Sequence, residues 1–240
     1  MLSNFRRGVK KNILAALRRA HQNFLAQPWV SRTITHQFHK LYYHSPSRPW
    51  LNTHWLGIPM LKCPLDVWIY QEIIHEIKPD VIIECGTYKG GSALFFAALF
   101  DFMKHGRVIT IDIQADPQRP KHERITYLLG STVAPEVVAQ VRALIQPNET
   151  VIAVLDSDHS QSYVLQEMKT YSPLVTPGSY LIVEDTSING HPVAPQYGPG
   201  PMEAVAAFLK ESNSFVVDKS REKFFMSFNP NGYLKKTVHA

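Results

Sequence analysis

Beyond residue 64 the chain alternates between two hydrophobic periods. Short apolar runs end abruptly in glycines or carboxylates, as in VIIECG, VITIDIQ, AVLDSD and LIVEDT, and the stretches between them repeat apolar residues every three or four positions. The first kind reads as strands buried on both faces, the second as amphipathic helices. In order, the pattern predicts helix 65–77, strand 81–84, helix 91–103, strand 108–113, strand 124–128, helix 135–145, strand 151–155, helix 160–171, strand 179–183 and helix 202–211. Strands 214–218 and 223–228 follow, read as an antiparallel hairpin about the charged turn KSREK. Such alternation predicts an α/β fold, a doubly wound, mainly parallel seven-stranded sheet whose strand ends open onto one ligand crevice.

Residues 1–65 differ in kind. They carry ten Lys/Arg and no Asp or Glu, whereas the remaining chain carries fifteen Lys/Arg against twenty acids. Phe5, Val9, Ile13, Leu14, Leu17 and Phe24 recur at helical spacing between basic pairs. This leader reads as a helix that packs on its own domain or on a second subunit, or as one lying on an anionic membrane surface through residues 1–25. A polar and aromatic linker with His36, Tyr42, Tyr43, His44 and Trp50 follows, placed to form a lid. The expected division is a basic extension over 1–50 and a catalytic domain over 51–240. Apolar surface on the leader and on Trp50 to Trp55 also predicts a homo-oligomer.

Two cysteines, Cys63 and Cys85, are too few for a disulfide framework and not spaced for zinc, which predicts a reducing, cytoplasmic setting. No run approaches the roughly 20 apolar residues that span a bilayer. The acidic catalytic part and the lack of a recognised binding motif speak against nucleic acid.

The strand ends carry the chemistry. Gly86, Gly90 and Gly91 between a strand and a helix let backbone approach a ligand and turn helix N-terminal amides towards it. Glu84 at that strand end would repel a pyrophosphate but suits a cationic amino group. Asp112 closes the next strand, where a carboxylate accepts from both ribose hydroxyls or else is a solvated turn residue. Together they predict a nucleoside without phosphate, such as S-adenosylmethionine. Asp156 ends one later strand, and Glu184 and Asp185 end the next. Such a group repels itself unless a cation neutralises it or a proton is shared. Hard oxygen ligands without cysteine favour Mg2+, with Mn2+ or Ca2+ as further candidates. Asp158 is a rival first ligand, or a cap for the helix beginning near Ser160.

The segments WLGIPMLKCPLDVWIYQEII, ECGTYKGGSALFF, LDSDHS and VEDT resemble the metal-dependent O-methyltransferases, more closely the family labelled cephalosporin hydroxylase or rhamnosyl O-methyltransferase, over about residues 53–230. The resemblance implies the class I methyltransferase fold. It implies Asp156, Glu184 and Asp185 as metal ligands and His159, three residues after the first, as general base. It implies an S-adenosylmethionine pocket of Glu84, Gly86, Gly90, Ser92, Asp112, Gly130, Ser131 and Asp156. The expected reaction is Mg-assisted methylation of a small-molecule or glycan hydroxyl, on a sugar or glycoside, lipid-linked or polysaccharide acceptors included.

Other classes fit less well. A nicotinamide oxidoreductase needs the G-x-G-x-x-G spacing that ECGTYKGGS lacks. An iron hydroxylase, as the family label reads, needs two histidines beside one carboxylate, and only His159 accompanies the acids. A non-catalytic module on the same fold is the third alternative. Trp55, Tyr88, His191 and Tyr197 are candidate acceptor contacts. Glu72 and Lys89 read as solvated, Cys85 as a packed residue, and 187–201 as an ordered loop.

Overall fold

A computed structural model describes the backbone of residues 2–238 and the side chains of residues 11–238, so Phe5 and Val9 lie outside the described side chains. Helices α1 (Leu2–Leu25) and α2 (Pro28–His44) lead to a small hairpin, β1 (His54–Trp55) and β2 (Ile58–Pro59). Then follow α3 (Pro64–Ile77), β3 (Val81–Cys85), α4 (Gly91–Met103), β4 (Arg107–Asp112), β5 (Ile125–Leu129), α5 (Pro135–Leu144), β6 (Val151–Leu155) and α6 (Gln161–Tyr171). The chain closes with β7 (Tyr180–Val183), α7 (Pro201–Glu211), β8 (Phe215–Val217) and β9 (Tyr233–Lys236).

Seven strands form one sheet in the order β5-β4-β3-β6-β7-β9-β8. The first five are parallel, and β9 runs antiparallel to both β7 and β8. The order reverses between β3 and β6, so the crevice opens at the carboxyl ends of those two strands.

Strand parity decides which acids meet. Val81, Ile83, Val151, Ala153, Leu181 and Val183 face the layer of α5, α6 and α7, in a core with Val141, Met168 and Phe208. Ile82, Ile152, Val154, Tyr180 and Ile182 face α3 and α4, in a core with Ile73, Phe96 and Phe100. Side chains alternate along a strand. Glu84, Asp156 and Glu184 therefore continue the even-numbered rows, towards the side where the segment entering α3 passes. Backbone pairing holds the ends level, with Asp156 N–H on the Cys85 carbonyl at 2.8 Å and Glu184 N–H on the Leu155 carbonyl at 3.0 Å.

Two expectations are corrected. Residues 223–228 are not a strand, and the partner of β8 is β9, ten residues later than expected. KSREK offers no residue suited to a tight hairpin turn. Instead Asp218 accepts from the Ser220 N–H at 3.1 Å and starts a 3-10 turn over Lys219–Glu222. The next segment buries Met226 and Phe228, and Asn231, at φ +61°, with Gly232 makes the turn into β9. The polar and aromatic linker is likewise helical. Pro28 at the first position of α2 suits a helix start, and His39 stacks on Phe228 at 5.1 Å. Tyr42 and Tyr43 also pack on Phe228, so tertiary contact stabilises a helix that local signals left undefined.

Candidate active site

A cavity of about 1020 Å³ lies over the ends of β3, β4 and β6. Gly86, Ser92, Asp112, Ser131, Asp156, His159 and Asp185 line it, as do Tyr43, Trp50, Tyr88, Lys89 and Arg119. The glycine loop is shaped by close backbone approach. Gly86 sits at φ +97°, and a Cβ there would lie 1.9 Å from the Asp156 carbonyl oxygen, so only glycine lets β3 and β6 deliver their ends side by side. A Cβ on Gly91 would meet the Pro59 carbonyl at 2.3 Å, which seats the β1–β2 hairpin on the start of α4.

Of the expected cofactor residues, Glu84, Gly90 and Gly130 do not reach the cavity wall. Glu84 is fully buried, and its Oε2 accepts from Thr110 Oγ1 at 2.6 Å. Its Oε1 has no partner. Burial raises the Glu84 pKa. Asp112 accepts the Tyr88 N–H at 2.8 Å and the Gln114 N–H at 2.9 Å, which fixes the loop to the end of β4. Arg119, which the sequence reading passed over, is buried against it, with Nη2 at 3.0 Å from Asp112 and Nε donating to the Tyr88 carbonyl at 2.8 Å.

The acids divide into two sets. Asp156, His159 and Asp185 bring one ligand atom each within 4.8 Å of one another. His159 Nε2 is 3.2 Å from Asp185 Oδ2 and 3.9 Å from Asp156 Oδ1. Asp185 departs from strand parity because it adopts φ +55°, a left-handed conformation that aspartate tolerates, and this turns it back beside Asp156. Glu184 does not join them, contrary to the expected ligand set. Its Oε1 accepts from Tyr70 Oη at 2.6 Å and pairs with Lys62 Nζ. Glu184 stays in the even-numbered row, where Lys62 and Tyr70 hold its carboxylate away from His159.

Lys62 is the other residue the sequence reading missed. It is 3% exposed, and its Nζ also donates to Asp156 Oδ2 at 2.8 Å. Burial opposes its charge, but Asp156, Glu184 and Glu84 outweigh burial and raise its pKa. Burial and Asp156 raise the Glu184 pKa to about 8 although Lys62 pulls it back; the ammonium in direct contact favours the charged carboxylate. Part of the cation that the clustered acids demanded is thus a side chain. The only sequence signal was a lysine inside an otherwise apolar approach to a helix, which is rare without a buried partner.

Asp158 leaves the ligand question to Asp156. Its Oδ1 accepts the Ser160 N–H at 2.7 Å, so it closes the turn before α6. Among the candidate acceptor contacts, Tyr88 lines the cavity and Trp55, His191 and Tyr197 do not. Trp55 packs on Phe95 at 5.0 Å, and His191 Nε2 meets Glu203 at 2.8 Å. Glu72 pairs with Lys223 away from the cavity, Lys89 with Asp116 at its rim, and Cys85 is buried. The 187–201 loop is ordered around buried Ile188 and Val193.

Beneath the cavity, Glu167 is fully buried and accepts from Ser157 Oγ at 2.5 Å. Burial pushes its pKa from 4.5 up to about 7, against the hydrogen bonds from Ser157 and Thr132. Between those values the folded state holds a proton that the unfolded state releases. The Glu167 contribution to stability is therefore present at low pH and lost as pH rises through about 7. The loss is at most about 3 kcal/mol. Urea unfolding from pH 5 to 8 should show a flatter pH dependence in Glu167→Gln than in wild type; parallel curves would mean Glu167 is ionised throughout.

Strand order and crevice are those of the class I methyltransferase fold, with acids at the strand ends. A family model described as rhamnosyl O-methyltransferase/CmcI matches residues 47–237. The chain belongs to this family. It is 41% identical over 210 residues to a rhamnosyl O-methyltransferase of Mycobacterium leprae, covering 84% of this chain and 90% of that protein. To one of Mycobacterium bovis it is 39% identical over 232 residues, covering 92% and 93%. An apo structure of CmcI superposes with a TM-score of 0.60 at 26% identity, covering 78% of this chain and 77% of that one. A CmcI structure described with Mg and SAM gives 0.61 at 24%, covering 78% of each.

Proposed function

We propose that the protein transfers a methyl group from S-adenosylmethionine to a hydroxyl of a sugar or glycoside, assisted by Mg2+. The observation that carries this reading is the meeting of Asp156, Asp185 and His159 at one point of the cavity wall that begins at the Gly86 loop. The relatives named rhamnosyl O-methyltransferase support the sugar.

The residues fit both groups. Two carboxylates and few other donors suit Mg2+, which keeps much of its water. Asp112 and Ser131 line the stretch that a nucleoside would occupy. When bound, S-adenosylmethionine supplies the activated methyl, and Mg2+, held by Asp156 and Asp185, lowers the pKa of an alcohol.

The remaining work belongs to side chains. A sugar hydroxyl does not ionise near neutrality, so a base must take its proton as the methyl moves. His159 lines the cavity. The imidazolium formed there lies 3.2 Å from Asp185 Oδ2, so its new charge is matched as it appears. Tyr43, stacked on Trp50 at 5.2 Å, and Tyr88 offer flat walls to a sugar ring. An iron hydroxylase is a poorer fit, because His159 is the only histidine of that cluster among the described residues.

The test is calorimetric binding of S-adenosylmethionine and Mg2+, followed by methyl transfer from labelled cofactor to rhamnosides. Wild type should bind both and label a glycoside. His159→Gln should keep Mg2+ binding and lose turnover by about 10²–10⁴-fold. Failure of wild type to bind S-adenosylmethionine would remove this reading, and loss of Mg2+ binding in His159→Gln would make the histidine a ligand.

A further inference from the structure

We infer that α1 and α2 form a docking face for an anionic lipid surface. The face is apolar and unpartnered. On α2, Ile34, Phe38 and Leu41 follow one another at i, i+4 and i+7 and are 52%, 51% and 65% exposed. On α1, Ile13, Leu17 and Phe24 form a second exposed stripe, and Trp29 at the start of α2 is 64% exposed. This is not the buried side of α2, which presents His39, Tyr42 and Tyr43 to Phe228.

Charge selects the occupant. Lys11, Arg18, Arg19, Arg32 and Lys40 are exposed on the same two helices, and among the described residues none of them has an acidic partner. No Asp or Glu occurs anywhere in residues 1–65. Two copies meeting through these helices would bring clusters of like charge close together. An anionic bilayer meets both features at once, with basic side chains at headgroup level and Phe, Trp and Leu in the acyl boundary. No described helix is long and apolar enough to cross a membrane, so the contact lies along the surface. Tyr43, on the opposite side of α2, lines the cavity.

Flotation of the full chain with vesicles of equal parts phosphatidylglycerol and phosphatidylcholine tests this, with pure phosphatidylcholine as the control. Wild type should float with the anionic vesicles only. Raising salt from about 0.15 M to about 1 M shortens the screening length from about 8 Å to about 3 Å and should release most of it. Arg18→Glu/Arg19→Glu and Ile34→Ser/Phe38→Ser/Leu41→Ser should each cut the bound fraction at least about tenfold, with circular dichroism and S-adenosylmethionine binding unchanged. No flotation of wild type would overturn the inference. A dimer by light scattering that becomes monomeric in the triple variant, without flotation, would assign the face to a second copy instead.

Discussion

Lys62→Met is expected to lower the unfolding free energy by about 3–5 kcal/mol, the cost of leaving buried Glu184 and part-exposed Asp156 without their shared cation. Lys62 Nζ touches Asp156 Oδ2 at 2.8 Å and Glu184, and Tyr70 Oη donates to the same Glu184 oxygen at 2.6 Å. Methionine keeps the length of the side chain and removes the charge. Glu184 then faces Asp156 with Glu84 nearby, and Glu184 and Glu84 are too buried for water to screen. Asp156 is also shared with the candidate metal site, so its Oδ1 loses the restraint that Lys62 exerts through Oδ2. Turnover should fall with stability. Urea unfolding of wild type, Lys62→Met, Glu184→Gln and the double variant completes a thermodynamic cycle. A favourable coupling of about 1–3 kcal/mol between the two positions is expected. An unchanged midpoint in Lys62→Met would show that the acids are already neutral in the folded protein.

Asp156→Asn and Asp185→Asn should each weaken Mg2+ binding by at least about a hundredfold and lower methyl transfer by about 10³-fold. S-adenosylmethionine binding should persist in Asp185→Asn, because the glycine loop and Asp112 stand apart from Asp185. The two variants differ in stability. Asp185 pairs with His159 at 3.2 Å in a part-exposed setting, so its loss costs about 1 kcal/mol or less. Asp156 pairs with buried Lys62, so its loss costs more. Glu184→Gln separates two placements of the third acid. Mg2+ binding close to wild type would confirm that Glu184 serves Lys62. A loss equal to that of Asp185→Asn would show that Glu184 leaves Lys62 when the cation enters.

The parallel part of the sheet was legible from the chain. Strand 151–155 and helices 91–103 and 160–171 lie where the hydrophobic periods put them, to within a residue or so. These elements are buried on one stripe or two faces, and burial writes itself into the spacing of apolar residues. The end of the chain was not legible. Segment 223–228 is aromatic-rich like a strand but is used to cover α2, and the true partner of β8 lies beyond it. Register between distant segments is a global choice that the local pattern does not encode.

The same division runs through the site. The chain alone placed Asp112, Asp156, Glu184 and Asp185 at strand ends on one edge of a doubly wound sheet, because each follows an apolar run, and the family resemblance added His159. It also required that clustered acids be neutralised. Tertiary structure decided what neutralises them. Lys62 lies 94 residues from Asp156 and 122 from Glu184 along the chain. Only folding shows that the segment before α3 crosses their row. Tertiary structure also separated Glu184 from Asp185. The positive φ of Asp185 turns one carboxylate towards His159 while strand parity holds its neighbour on Lys62 and Tyr70. Periodicity reports which positions are buried; it carries no information on which buried charge meets which, since that depends on contacts between segments far apart in the chain.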